Sequence, residues 1–387
     1  MINSSWLVLY LKWDELVSIA SNLRNGIPCK LGENFSLGHF NMVRRIYFVD
    51  GISWVARVRM PALDTVFGSR EVLDRMTSLR GEIACMKFLG AKTSIPVPAI
   101  HGYSINPANK VGAPYVLMDY IHCTVAVDLQ VARKCESGFF GTADQDRRFK
   151  ERMAEIQVEL SSFRFELIGW LYQDEKTEEF FIGPEIETGK GPWETSMDYY
   201  SDLASHALKV CVSDGEVDVQ TSASFALPIL FEHLIALYGK DGTGPFSLTN
   251  RDFRAHNILV NDEFKIIGVI DFDIVMAAPI ELVAQYPTLT GLDREAPGYV
   301  ETRPLAIERI QMTKPKLEEY KNFVAAAEEV RMGEGEGGGI ASLMLSDAAS
   351  VVRGLVQFLG HQKSVNDKWM EAYLRHLRET VSDSRKV

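Results

Sequence analysis

Long apolar runs are missing from this 387-residue chain: no stretch reaches the roughly 18 unbroken apolar residues that a membrane-spanning helix needs. The apolar opening, "MINSSWLVLYLKWDELVSIA", is broken by Lys12, Asp14 and Glu15, and no small-residue cleavage site follows it. It reads as an amphipathic helix, and a cytoplasmic location is expected. Cysteine is sparse. Cys29, Cys85, Cys123, Cys135 and Cys211 are odd in number, scattered and without a CxxC pair, which excludes a disulfide framework or a cysteine zinc site and predicts reduced, buried thiols. Positive charge is in deficit, with 41 Lys and Arg against 52 Asp and Glu and a net charge of -11. That balance excludes the basic face of a nucleic-acid binder, so neither nucleic acid nor membrane is an expected partner. Internal repeats are absent as well.

What remains is the composition of an ordinary packed protein, 46% hydrophobic and 24% charged. The length suits two compact lobes on the usual scale of about 100 to 200 residues per domain. The texture changes near residue 123. Before it, short β-favouring runs ("FNMVRRIYFV", "ISWVARVRM", "APYVLMDYI") are separated by turn signals such as Asp50 and Gly51. One helix interrupts them, "REVLDRMTSLRGEIACMKFLG", with Gly90 as its expected C-cap. After residue 123 helical spacing dominates, in "DRRFKERMAEIQVELSSFRFELIGWL", "MDYYSDLASHALKVCV" and "LPILFEHLIALYGK". A glycine-rich loop, "VRMGEGEGGGIAS", precedes two further helical segments. The expected fold class is α+β and bilobal. An N-terminal helical extension covers 1–30, a small antiparallel β-rich lobe with one main helix covers 31–122, and a larger, mostly helical lobe covers 123–387.

The stretch richest in chemistry is "LTNRDFRAHNILVNDEFKIIGVIDFD", residues 248 to 273. "NILV" and "KIIGVID" are apolar runs joined by the polar turn "NDEF", which predicts a hairpin. Antiparallel pairing would bring Asn257 near Asp271, offering a neutral oxygen and a carboxylate to a hard cation such as Mg²⁺. Asp252 falls in the loop just before, where its carboxylate is free to take a proton from a hydroxyl or to align it. Each residue alone is a common turn former. Together they match phosphoryl transfer, in which a protein positions the nucleophile and neutralises phosphate charge.

The D-x-x-x-x-N spacing followed by a strand ending in Asp resembles the catalytic and metal-binding segment of the protein-kinase-like superfamily. "RDFRAHNILVNDEFKIIGVIDFD" is most similar to the motif of aminoglycoside phosphotransferases and related small-molecule kinases. The "DFD" to "AAPIE" continuation and "IGWLYQDEKTEEFFIGPEI" resemble the subgroup abundant in fungi. The resemblance implies ATP or GTP as phosphate donor with Mg²⁺, Asp252 as the catalytic residue, and Asn257 and Asp271 as metal ligands. "LGENFSLGHFNMVRRIYF" then resembles the nucleotide-covering loop near Ser36 and Gly38, although GxGxxG is lacking there. "WVARVRM" resembles the strand that carries a basic residue for the phosphates. Arg57 and Arg59 compete for that role on one strand face. Arg57 is preferred, because the residue two before it, Val55, suits adenine, whereas Arg59 would put Arg57 there. Glu82 resembles the helix glutamate that pairs with this base, with Glu71 a less well placed competitor. The resemblance also implies that Met118 and Leu259 flank adenine and that Asp119 and Ile121 offer it backbone groups.

Two features depart from the pattern. Asn250 stands where the family usually has His, and only "FDIVMAA" separates Asp271 from Pro279, too short for a phosphorylated activation loop. Arg251 thereby lacks its usual partner and reads as structural, and Asp273 reads equally as support for the metal site or as a turn residue. The implied acceptor is a hydroxyl of a small molecule. Segments 183–217 and 280–340 are expected to bind it; they are rich in acidic and aromatic residues such as Glu185, Glu187, Trp193 and Tyr199, and the acidic groups would suit an aminated acceptor or equally a solvated surface. A monomer or homodimer is expected. The alternatives are a catalytically weak pseudokinase, and a secondary-metabolism enzyme that activates its substrate by transient phosphorylation.

Overall fold

Alternation along "NMVRRIYF" and "SWVARVR" puts apolar side chains on one face of each strand, and a sheet results whose two faces have different tasks. The computed structural model describes residues 11–38, 41–60, 75–136, 138–186, 188–213, 223–239, 242–289, 292, 304–332, 339–360 and 374. They fall into two compact units, the first comprising Met1–Cys123, Tyr172–Phe180 and Ile267–Asp273 and the second the rest.

The first unit contains helix α1 (Trp13–Leu23), strands β1 (Cys29–Leu37), β2 (Asn41–Phe48) and β3 (Ser53–Arg59), helix α2 (Arg75–Lys92), and strands β4 (Ile100–Ser104) and β5 (Tyr115–Asp119). The strands form one antiparallel sheet in the order β1-β2-β3-β5-β4. Met42, Ile46, Trp54, Ala56, Val58 and Leu117 line one face, and Trp13, Leu16 and Ala20 of α1 close over it. Each buried Leu, Ile or Met there contributes about 1.5–3 kcal/mol relative to exposure. Val55, Arg57 and Arg59 alternate onto the other face, where Glu82 and Ser78 of α2 meet the two guanidiniums. Gly90 does not end α2: the helix runs on to Lys92, and Thr93 closes it by donating both its N–H (3.0 Å) and its hydroxyl (2.7 Å) to the Leu89 carbonyl. Residues 70–74 of the expected helix, Glu71 among them, lie outside the described residues.

The second unit begins with β6 (Thr124–Val125), α3 (Ala126–Ala132) and α4 (Ala143–Ser161). It continues with β7 (Arg164–Phe165), β8 (Gly169–Gln173), β9 (Phe180–Gly183), α5 (Ser196–Ser213) and α6 (Ala223–Tyr238), with Tyr172, Gln173 and Phe180 counted in the first unit. Then follow β10 (Phe246–Asn250), β11 (Ile258–Val260), β12 (Ile266–Val269), which from Ile267 on is counted with the first unit, and in the second unit again β13 (Val275–Ala278), α7 (Ile280–Val283), α8 (Pro304–Met332), α9 (Ile340–Leu343) and α10 (Asp347–Gly360). Helix α4 starts on a capping box between Thr142 and Gln145. Its buried Phe149, Met153, Ile156 and Leu160 recur at helical spacing, and Gln157 accepts a 2.9 Å hydrogen bond from Tyr320 of α8.

The expected helix over 146–171 stops at Ser161, and "RFELIGWLYQ" supplies β7 and β8 instead. Pairing of β7 with β10 and of β8 with β13 overrides the helical spacing. Gly169, at φ +152, would put a Cβ 2.1 Å from the Gly183 carbonyl oxygen, a position only glycine fits. The second unit is therefore mostly helical but carries strands on either side of the Asp252 loop. The fold is α+β, with an antiparallel sheet toward the N-terminus and helices toward the C-terminus. No helix among the described residues is long and apolar enough to cross a membrane.

Candidate active site

Strand β10 pairs with β13 from Ser247 opposite Ala278 to Asn250 opposite Val275, and the chain leaves the sheet at Arg251, whose N–H still reaches Ile274 O at 3.0 Å. The loop is pinned by buried Phe253 and Ala255. A single 3-10 turn, Ala255–Asn257, then swings Asn257 back. Asn257 Nδ2 donates to both the backbone oxygen and Oδ2 of Asp252, at 3.0 Å each. Asn250 Oδ1 accepts the Asp252 N–H at 2.9 Å. The carboxylate is thus held from two sides. Its Oδ1 is buried, makes no hydrogen bond, and has only an ion-pair contact with Arg254. Sequence reasoning missed Arg254; a basic residue two positions beyond Asp252 on the same loop was the available signal. Arg251 is structural, held 3.2 Å from the fully buried Glu185.

In the first unit, Arg57 of β3 and Glu82 of α2 form an ion pair with Glu82 wholly buried. Burial works against the Arg57 charge, but Glu82, Asp273 and Asp271 outweigh it and raise its pKa. For Glu82 burial favours the neutral acid, yet Arg57 overcomes this and holds the carboxyl below its ordinary range. Arg59 is buried differently, donating to Ser78 Oγ at 2.8 Å and lying 3.6 Å from Asp273. Asp271 adopts the left-handed backbone region at φ +65, a conformation that costs a non-glycine residue about 1–2 kcal/mol. Glu82, Asp271 and Asp273 each offer a carboxylate oxygen, and these lie within 4.8 Å of one another. Burial and then the neighbouring Glu82 carboxylate push Asp273 up to about 9. Glu82 Oε1 and Asp273 Oδ1 are buried without a hydrogen-bond partner. A converging, all-oxygen set of this kind fits a hard cation such as Mg²⁺, whose charge would draw the Asp273 carboxyl into its ionised form.

The remaining expected residues are placed as follows. Val55 and Met118 are opposite each other in the β3 and β5 ladder. The N–H of Asp119 is already used by Ala99 O at 3.0 Å, and its carboxylate takes Ala99 N–H and His101 Nε2. Ile121 follows β5 without strand structure. Ser36 lies inside β1 opposite Val43, and Gly38 N–H closes the hairpin on Asn41 O at 2.9 Å, so it has a partner within the chain. Leu259 is buried in β11 opposite Val125. Asp252, Asn257 and Leu259 belong to the second unit, and Arg57, Glu82 and Asp271 to the first. Of the residues named for the acceptor segments, Glu185, Trp193 and Tyr199 are buried in the interior, and Glu187 lies outside the described residues.

Comparison with known proteins places these features. The chain is 27% identical over 157 residues to a subtelomeric hrmA-associated cluster protein of Aspergillus fumigatus, covering 38% of this chain and 27% of that protein. It is 24% identical over 338 residues to altered inheritance of mitochondria protein 9 of Vanderwaltozyma polyspora, covering 81% of this chain and 47% of that one. The chain thus spans between about a quarter and half of the length of the curated relatives it matches. Among solved structures, a macrolide 2'-phosphotransferase from Brachybacterium faecium is similar at 13% identity and a TM-score of 0.48, covering 93% of this chain and 95% of that one. Residues 47–281, more than half of the chain, match the phosphotransferase enzyme family (APH), and the chain belongs to that family.

Proposed function

We propose that this protein is a phosphotransferase that moves the γ-phosphoryl group of ATP or GTP to a hydroxyl of a small molecule. One observation carries the reading: the Asp252 carboxylate is locked by Asn257 through Oδ2, while its Oδ1 makes no hydrogen bond and meets only the half-exposed Arg254 guanidinium. A rigid, partly desolvated carboxylate of that kind is suited to orient a hydroxyl and take its proton. In the transfer, the acceptor oxygen forms a bond to the γ-phosphorus as the bond to the bridging oxygen breaks. The proton goes to Asp252, and the bridging oxygen leaves on the nucleoside diphosphate.

Arg57, oriented by Glu82, would face the nucleotide phosphates, and a planar guanidinium held on one side is pre-ordered for them on the other. Asn257 and Asp271 would hold Mg²⁺, with Asp273 and Glu82 beside Asp271. When bound, that ion supplies neutralisation of phosphate charge. Val55, Met118 and Leu259 would pack on the adenine, and Asp119 and Ile121 would present carbonyls to it. Ser36 and Gly38 would cover the phosphates. The same proposal includes a cytoplasmic protein, monomeric or homodimeric, with no nucleic-acid partner.

The pseudokinase reading draws on Asn250 in place of histidine and on the engaged N–H of Gly38. Thermal unfolding with ATP or GTP, with and without Mg²⁺, separates the two. A ligand that binds the native state at about a hundredfold excess over its dissociation constant adds about 2.7 kcal/mol. A Mg²⁺-dependent rise in the midpoint, followed by nucleotide turnover with a hydroxylated acceptor, is expected. No shift at millimolar nucleotide would remove the phosphotransferase reading.

A further inference from the structure

The hairpin of β8 and β9 has its tip, Tyr172–Phe180, in the first unit. The turn is built from within: Asp174 Oδ1 accepts the Lys176 and Thr177 N–H groups at 2.9 and 2.8 Å, and the Asp174 N–H donates to Glu179 O at 2.9 Å. Gln173 is part of it, its Nε2 donating to Glu178 O at 3.0 Å. A turn closed by an aspartate in this way has a defined shape before it meets anything else. What it meets is α2, the helix that carries Glu82.

Lys87 Nζ donates to Gln173 Oε1 at 3.1 Å and to the Tyr103 hydroxyl of β4 at 3.2 Å. The buried Phe88 meets the Phe180 ring edge-to-face, with 5.2 Å between centroids. Arg80 reaches Glu175 only at 3.9 Å with both side chains exposed, so that pair adds little. Helix geometry gives the first two contacts their meaning. At about 100° per residue, Lys87 and Phe88 project about 140° and 240° around the axis from Glu82, which faces Arg57 on the sheet. The helix is therefore gripped in three directions, one of them the ion pair itself. Without the other two, α2 could roll about its axis and carry the Glu82 carboxylate away from Arg57, leaving two desolvated charges apart.

We propose that this hairpin tip is a positioning device for the phosphate-facing pair: Gln173 and Phe180 act through Lys87 and Phe88 to keep Glu82 on Arg57. Neither touches the nucleotide, so both are positioning residues. The effect on nucleotide rests on the phosphotransferase reading, whereas the hold on α2 does not.

Phe180→Ala and Gln173→Ala in the full chain test this, with Phe180→Tyr as the conservative variant and thermal midpoints confirming folded protein. Amide hydrogen exchange along α2 is read beside the affinity for ATP or GTP with Mg²⁺, measured by calorimetry. Both alanine variants should speed exchange over residues 82–92 while β1 to β3 exchange as in the parent chain. Nucleotide should bind about two- to tenfold more weakly, the worth of one aromatic pair, and Phe180→Tyr should restore parent behaviour. In a Glu82→Gln background, Phe180→Ala should weaken nucleotide binding no further, because it acts through Glu82. Unchanged exchange in α2 would overturn the inference. So would faster exchange with unchanged affinity, the mark of a merely structural contact, or an affinity loss just as large without Glu82. A parent chain that binds no nucleotide removes the phosphotransferase reading, and faster α2 exchange in the variants then still upholds the hold on α2. A parent chain that binds and transfers while the variants match it in exchange and affinity does the reverse.

Discussion

Asn257 Nδ2 stands 3.0 Å from both the backbone oxygen and the Oδ2 oxygen of Asp252, so one side chain fixes the main chain and the carboxylate of the same residue. Asp252→Ala should lower phosphoryl transfer by about 100- to 10,000-fold, the usual worth of a positioned acid or base, with nucleotide binding retained. Asn257→Ala should lower it too, and should in addition loosen the loop. Single-turnover rates beside nucleotide affinity check this, and near-normal transfer by Asp252→Ala would remove the role given to it.

The buried Arg57 and Glu82 pair makes a second prediction. Glu82→Ala leaves a guanidinium that is only 12% exposed without its main partner. Breaking such a pair costs about 3–5 kcal/mol, and the low end applies here because Asp273 and Asp271 also act on Arg57. Denaturant unfolding of the variant should show that loss.

The same pair sets a pH dependence. Glu82 lies below its ordinary range in the folded protein, against the pull of burial, chiefly through Arg57. Its stabilising effect is complete above the unfolded value of about 4.3 and is lost as pH falls through the lower folded value. The unfolding midpoint of the native chain should therefore fall as the solution is acidified below that point. Glu82→Gln should be less stable at neutral pH and flatter on the acid side, and parallel pH curves for the two would sink the assignment.

Much of this was legible in the sequence because it depends on short-range order. The period-two alternation of "SWVARVR" placed Arg57 and Arg59 on one face before any contact was known, and the five-residue spacing from Asp252 to Asn257 singled out the loop. Less was legible where long-range pairing decided. Helical spacing through "ELSSFRFELIGWL" gave way to β7 and β8 because β10 and β13 lie alongside. Gly90 looked like a helix end, but the Thr93 hydroxyl took that place. Glu185 looked like a surface acid for an amine, and only the fold reveals Arg251 against it, 66 residues on. The unpartnered Nδ2 of Asn250 has no sequence signature, since it depends on what the residues packed around it already bind.

Asp271 offers a test that separates backbone from carboxylate. Both Asp271→Ala and Asp271→Gly remove the charge beside Glu82 and Asp273, and both should abolish Mg²⁺-dependent turnover. They differ in how each tolerates the left-handed backbone at φ +65. Alanine meets its Cβ clash there and glycine does not, so the glycine variant should be the more stable of the two by about 1 kcal/mol. Against this, glycine gains about 0.4–1 kcal/mol of unfolded-chain entropy, which narrows the gap without reversing it where the strain is at the upper end. Paired denaturation curves decide the matter: an alanine variant clearly more stable than the glycine variant would show that Asp271 is not held in that region, and that the φ of this aspartate plays no part in aiming its carboxylate.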